Sequence, residues 1–294
     1  METNLKMTSL RDVLKQAAAD KIAVGHFNFS DLVAFNAIVA AARDRKLPVM
    51  VGVSEGEREF TGVRQAAALV KAVRDEYDYP IFLNADHTHS IAKAEAAAKA
   101  GFDEIIFDGS ALAFEENIKQ TIKAIEAIKS INPAILVEGE IGWIGSSSAV
   151  IDKVPAGVGV LTTPTEAKQF VDATKVDVLA PAVGNMHGML ESMVHGNVQK
   201  RLNIERIAEI KAAVGIFMTL HGGSGTNDDD FKRAIKAGMT IVHVNTEIRI
   251  AWRRGVEAGL AALPNEVAPY KILGRALEAV QKVVGERLEL FSSK

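Results

Sequence analysis

Two rhythms of apolar residues alternate along the chain. Short runs rich in β-branched residues, Ile22–Asn28, Val49–Ser54, Ile81–Asp86, Glu104–Asp108, Ile135–Glu140, Val176–Val183, Ile216–His221 and Ile241–Thr246, have the length and composition of strands. Between them lie Ala/Lys/Glu-rich stretches with helical spacing: Asp31–Arg45, Val63–Glu76, Ile91–Ala100, Phe114–Lys129, Thr165–Ala173, Ile204–Val214 and Asp228–Ala237. Gly101 and Gly238 stand where helices should stop, and Asn227 or Asp228 should cap the helix before Phe231. Eight strands alternating with helices predict a parallel sheet, and eight is the number that closes a barrel. A doubly wound open sheet is the competing α/β fold, but no Gly-rich dinucleotide fingerprint follows the first strand. No Pro/Ser-rich linker or shift in composition interrupts the pattern, so residues 1–294 are expected to form one (β/α)8 TIM-barrel domain.

Within each run the residues are apolar until the last positions, where they turn polar. The ends are Asn28, Ser54, Asn84-Ala85-Asp86-His87, Asp108, Glu138 with Glu140, Gly184-Asn185-Met186-His187-Gly188, His221-Gly222-Gly223-Ser224-Gly225 and His243-Val244-Asn245-Thr246. In a barrel all of these ends meet at the C-terminal rim, where active sites sit. His87, His187 and His221 belong to the third, sixth and seventh ends, and three neutral imidazoles converging on one point make a catalytic zinc site with room for substrate. Singly, each is also compatible with a hydrogen-bonded rim residue. Asp86, beside a proposed ligand, is either a general base or a carboxylate that orients a histidine. Asp108 and Glu140 are either supports behind the ligands, an alternative metal position or ordinary polar strand ends. His26 and His243 alternate within strands and could line the barrel; His89 and His195 read as surface-loop residues. Gly222-Gly223-Ser224-Gly225 leads into a helix, where bare peptide N–H groups suit a phosphate, and Thr246 adds a hydroxyl.

Composition narrows the chemistry. The chain has no cysteine, which excludes disulfides and thiolate ligands, so a metal must use His, Asp or Glu; zinc is expected, though iron, cobalt or nickel also suit imidazoles. A net charge of −3 offers no footprint for nucleic acid or an acidic membrane, and no apolar run approaches the ~20 residues of a membrane span. The segment Met1–Asp20 is polar and helical in pattern and lacks a signal-peptide core, which leads us to expect a cytoplasmic protein.

At these residues the sequence resembles the class II, metal-dependent fructose-bisphosphate aldolase family, which includes tagatose-bisphosphate aldolases. The matching stretches are Val24–Asn28, Pro48–Gly56, Asp86-His87, Gly101–Asn117, Glu138–Gly145, Thr163–Thr174, Gly184–Gly188, Leu220–Gly225 and Thr246–Ala251. The resemblance implies a zinc-dependent carbon–carbon lyase acting on a sugar phosphate in carbohydrate metabolism, commonly as a homo-oligomer. It implies His87, His187 and His221 as metal ligands and Asp86 as catalytic base. It further implies Asn28, Ser54, Gly188, Gly222, Ser224 and Thr246 as contacts to substrate or its first phosphate; Gly223, His243 and Asn245, at the same strand ends, are further substrate-binding candidates. Fructose 1,6-bisphosphate is the expected substrate; tagatose 1,6-bisphosphate or another ketose phosphate is the alternative.

Three departures from the family pattern stand out. The family's loop acid after the fifth strand is replaced by Ser146-Ser147-Ser148, with no carboxylate before Asp152. His243 and Asn245 alter the family's pattern at the eighth strand end. Ala268-Pro269-Tyr270 stands where the family has Asp-Pro-Arg, which suggests an aldehyde half without the usual phosphate, unless Lys271 or Arg275 supplies the charge. A Schiff-base aldolase would need a strand-end lysine, which none of the eight runs carries. A sugar-phosphate binder without catalysis is motivated by the missing acid but leaves Asp86 beside a metal unexplained, and a metal-dependent isomerase or epimerase is the remaining reading.

Overall fold

A computed structural model describes residues 8–145 and 147–293. The barrel strands are β1 (Val24–Asn28), β2 (Val49–Val53), β3 (Ile81–Thr88), β4 (Glu104–Phe107), β5 (Leu136–Ile141), β6 (Val178–Pro181), β7 (Phe217–Leu220) and β8 (Ile241–Val244). They pair in parallel with sequential neighbours, and β1 pairs with β8, His26 opposite His243, to close an eight-stranded (β/α)8 barrel. The helices are α1 (Leu10–Asp20), α2 (Leu32–Arg45), α3 (Glu55–Thr61), α4 (Val63–Tyr77), α5 (Ile91–Ala100), α6 (Phe114–Ile131), α7 (Pro164–Thr174), α8 (Glu191–Val194), α9 (Ile204–Val214), α10 (Asp228–Ala237), α11 (Thr246–Ala262), α12 (Pro269–Ile272) and α13 (Gly274–Phe291). None of the described helices is long and apolar enough to cross a membrane.

The period of two along each strand sorts side chains into two sets. Phe27, Val51, Leu83, Ile105, Val137, Leu179, Met218 and Val242 face outward into the main core beneath the helices. The alternate residues face the barrel axis. At the strand starts these are Val24, Met50, Phe82, Leu136, Val178 and Ile241, which pack on Leu10, Leu14 and Ala17 of α1, so that this helix plugs the N-terminal end. Higher along the axis the inward set turns polar: His26, Asn84, Glu104, Glu138, Thr219 and His243 are all buried. The polar character thus begins in the middle of the barrel, deeper than an apolar-until-the-end reading expects.

Several strands stop before their expected ends because the chain turns into capping positions. Ser54 is the N-cap of α3, in a capping box with Glu57, and Asn245 is the N-cap of α11, which begins at Thr246. Asn227 caps α10 by accepting from the Asp229 and Asp230 N–H groups. β3 instead runs past Asp86, with a bulge between Ala85 and Thr88. Between β5 and β6, Val150–Ile151 pairs with Met189–Leu190 in a two-stranded ribbon over the rim.

Candidate active site

Adjacent residues of a regular strand point to opposite faces, so Asp86 and His87 should not share one pocket. The β3 bulge resolves this. His87 sits at φ +40, in the left-handed region, and the turn brings its ring to the same side as Asp86. Arg58, buried on α3, holds the distortion by donating to the carbonyls of Val53 (2.6 Å) and Asp86 (3.2 Å) and to the Thr88 hydroxyl (2.9 Å).

The three histidines converge. Nε2 of His87 lies 3.1 Å from Nε2 of His187 and 3.1 Å from Nδ1 of His221. The opposite nitrogen of each ring has its own acceptor: Asp108 for His87 Nδ1 (2.9 Å), the Gly145 carbonyl for His187 Nδ1 (2.6 Å) and Glu138 for His221 Nε2 (2.6 Å). Held outward in this way, His187 and His221 turn a lone pair to the centre, and His87 does so once its Nε2 proton is lost, which is how imidazoles behind a metal are held. Burial and the neighbouring positive His87 push His187 and His221 down to about 3, so both are neutral at ordinary pH. Burial opposes charge on His87 as well, but Asp86, Asp108 and Glu140 outweigh it and raise its pKa well above normal. The donor set fits one divalent transition ion, which would have to displace a proton from His87. Asp108 also accepts from the Ser110 N–H and hydroxyl, so its oxygens are committed to support. Glu140 lies 3.4 Å from His87 Nδ1 with one buried oxygen unpartnered, and burial beside Asp108 raises its pKa.

Asp86 is buried, and Asn28 donates to its Oδ2 at 2.8 Å. Its Oδ1 stands 3.6 Å from His87 Nε2 and 3.6 Å from His243 Nδ1. Burial works against its charge, yet the imidazoles of His87, His243 and His26 hold it well below the usual carboxylate range. His243 itself stacks on His26, rings 3.5 Å apart and 5° from parallel. His26 in turn lies across Gly52, where a Cβ would come within 2.2 Å of its ring.

Two connected cavities occupy this rim. The inner one, about 20 Å³, is lined by Asn28, Asp86, His87, Ser148, His187, Gly188, His221, Gly222, Ser224, His243, Asn245 and Thr246, and is the size of an ion or a water. The outer one, about 420 Å³, shares Asp86, His87, His187, Ser148 and Asn245 and adds Ser54, Trp143, Ser147 and Arg249. The expected site residues thus assemble, with two exceptions. Ser54 lines only the outer cavity, and Gly223 lies behind the turn, its N–H donating to the His243 carbonyl at 3.0 Å. Asn28 has its amide divided between Asp86 and Glu57, so it orients the carboxylate. Tyr270 is 77% exposed on α12, and Tyr270, Lys271 and Arg275 line neither cavity of this chain. The basic side chain that does reach the outer cavity is Arg249, paired with Glu57 at 2.7 Å. Of the serine run, Ser146 lies outside the described residues.

Sequence reasoning missed Glu138 as the partner of His221, Arg58 as the clamp on β3, and Lys200, buried behind the glycine turns. Glu138 had a legible signal, since it shares a strand face with Glu140. The other two reach the site through tertiary contacts that no local pattern encodes.

Comparison with known proteins gives a consistent result. A family model described as fructose-bisphosphate aldolase class-II matches residues 8–294. A probable fructose-bisphosphate aldolase of Bacillus subtilis is 34% identical over 98% of this chain and 99% of its own length. A sulfofructosephosphate aldolase of Alkalicoccus urumqiensis is 31% identical over 97% of this chain and 96% of its own. The crystal structure of the YdjI aldolase from Escherichia coli K12 superposes with a TM-score of 0.81 at 25% identity, covering 97% of each chain.

Proposed function

This chain belongs to the class II fructose-bisphosphate aldolase family of metal-dependent lyases, and from that premise we propose that it cleaves a ketose 1,6-bisphosphate, fructose 1,6-bisphosphate first, to dihydroxyacetone phosphate and an aldehyde. The observation that carries the reading is the ionised, Asn28-held carboxylate of Asp86 beside three inward-facing imidazole nitrogens. His87, His187 and His221 would hold one divalent ion, zinc by donor type, and that ion would polarise the ketose carbonyl. Asp86 takes the proton of the C4 hydroxyl, the C3–C4 bond breaks to release the aldehyde and leave its electron pair in the enediolate of dihydroxyacetone phosphate, and a proton taken up from solvent at C3 completes the ketone. The depressed pKa of Asp86 keeps it unprotonated for its part, and the amide of Asn28 fixes the accepting oxygen. Gly222, Ser224 and the start of α11 at Thr246 hold the first phosphate; Asn245 makes no side-chain cap there, and the Glu247 N–H donates to the Ser224 hydroxyl at 3.3 Å, which fixes that hydroxyl beside the helix N-terminus. Together with Gly188 and His243 they line the inner cavity.

The far end of the substrate meets the outer cavity, where Arg249 supplies the cation that Tyr270 does not. A phosphate or a sulfonate on the aldehyde half would both satisfy it. The experiment is an assay for triose phosphate release by the metal-loaded protein, with a chelator-treated control and Asp86→Ala. Turnover that survives either treatment would sink the reading. An Arg249→Met variant should raise KM for the bisphosphate roughly tenfold while leaving the 1-monophosphate unaffected; equal effects on both would place the second anion elsewhere.

A further inference from the structure

Lys200 is a buried lysine whose ammonium is spent on main-chain carbonyls. Its Nζ donates to those of Met186 (2.6 Å), Gly188 (2.6 Å) and Gly222 (2.9 Å), none of them a carboxylate. Three acceptors require all three protons, because a neutral amine would turn its lone pair on one of the oxygens. Burial pushes its pKa down to about 7, with Glu247 opposing, and the carbonyls favour the protonated form.

The three peptides are pinned at their other ends as well. The His187 N–H donates to Ile144 (2.8 Å), that of Met189 to Ala149 (3.0 Å) and that of Gly223 to His243 (3.0 Å). The lysine's own N–H donates to Gly225 (2.8 Å), and its carbonyl accepts from Asn227 (3.2 Å). One side chain therefore ties the segments that follow β6 and β7 to each other, and the peptides it holds bond in turn to the segment after β5 and to His243 of β8. Gly188 and Gly222 line the inner cavity at φ +74 and +60, and a Cβ at Gly222 would meet the Met186 carbonyl at 2.4 Å. No lysine or arginine lines that cavity among the described residues.

We propose that Lys200 is a built-in cation of the phosphate subsite, one peptide layer behind Gly188 and Gly222, holding both turns in place and supplying the positive charge of the lysine or arginine that the lining lacks. This rests on the reading that phosphate sits over the Gly222–Ser224 turn. Lys200 acts through the turns, so it is a positioning residue. Without its ammonium, three carbonyls would converge on an empty centre, a cage suited to ammonium or potassium. The intact chain should therefore ignore monovalent cations, and a chain lacking the ammonium should need them.

The test is calorimetric titration of inorganic phosphate into the metal-loaded protein and its Lys200→Met variant. Tetramethylammonium is the background cation, with ammonium or potassium then added. The wild type should bind equally with and without the added cation. Lys200→Met should keep its metal but bind phosphate roughly tenfold more weakly, with most of the loss restored by ammonium or potassium. In turnover the same variant should show a raised KM and a largely preserved kcat, reversed by the same ions. Unchanged phosphate affinity in Lys200→Met, or a loss that no small cation restores, overturns the inference while leaving the aldolase reading intact. A wild type that needs potassium overturns it too, and that measurement stands even if the variant does not fold. A wild type that binds no phosphate at all overturns the assignment of the subsite itself, and this inference with it.

Discussion

Glu138 carries more of the proposed metal site than its position in the middle of a strand suggests. Its carboxylate accepts from His221 at 2.6 Å and from the Thr219 hydroxyl at 2.5 Å, in full burial. Glu138→Gln should leave the fold intact and weaken metal affinity about 10–100-fold, because an amide holds the imidazole N–H less strongly and can present an N–H instead. Competition with a metallochromic chelator reads this directly. His87 makes the same affinity depend on pH. Its raised pKa means the metal-free cluster carries a proton there, which the ion must expel, so affinity falls as pH drops through that value. Calorimetry in buffers of different ionisation enthalpy should find about one proton released per ion near neutral pH. Release that does not change with pH would contradict His87 as a ligand. Residue types singled out the three histidines and Asp86 as candidates while leaving each a plainer use at a strand end, and the family resemblance supplied their roles. They did not distinguish Asp108, committed to His87, from Glu140, one of whose oxygens has no partner.

Among the elements, β3 and α1 differ most from what period and propensity predict. A strand rule alone puts Asp86 and His87 on opposite faces, and only the bulge, with His87 at positive φ and Arg58 on two carbonyls, brings both inward. Neither bulge nor clamp has a local sequence signature, so the dipeptide was readable as chemistry before it was readable as geometry. The helix α1 was visible as a helical pattern with no assigned task; its task is to close the barrel floor. Leu14, fully buried there, should cost ~2–5 kcal/mol on replacement by Ala, read as a shift in denaturation midpoint, with kcat unchanged. A large loss of kcat instead would mean that the plug is coupled to the rim.

For the molecule as a whole, the alternation of strands and helices was sufficient to predict the closed barrel, because sequential parallel pairing of eight strands leaves few other arrangements. What composition could not convey is the vertical order of the interior: an apolar floor, a buried polar middle and a liganding rim. That middle layer includes Glu104 and Glu138, whose carboxyl pKa values are pushed up by burial. Glu138 also holds His221, so metal removal should be felt in the core of the fold. Heat should unfold the loaded protein in one transition, and free ion at 100 times its Kd should add ~2.7 kcal/mol over the stripped form. Calorimetric scans with and without chelator measure it, and superimposable traces would exclude a site coupled to the fold.

The stack of Gly52, His26 and His243 sets an order on how this pocket can diverge. Any side chain at position 52 collides with an imidazole that is itself wedged against a second ring, so Gly52 is free to vary only after His26 has become smaller. Losing His26, in turn, removes the surface that keeps His243 turned toward Asp86. A library that randomises the three positions one at a time should recover almost nothing active at position 52. One that varies them together should find its tolerated Gly52 replacements paired with a smaller residue at 26. Lineages descending from this chain would carry the history of those changes in a fixed sequence, with position 26 first.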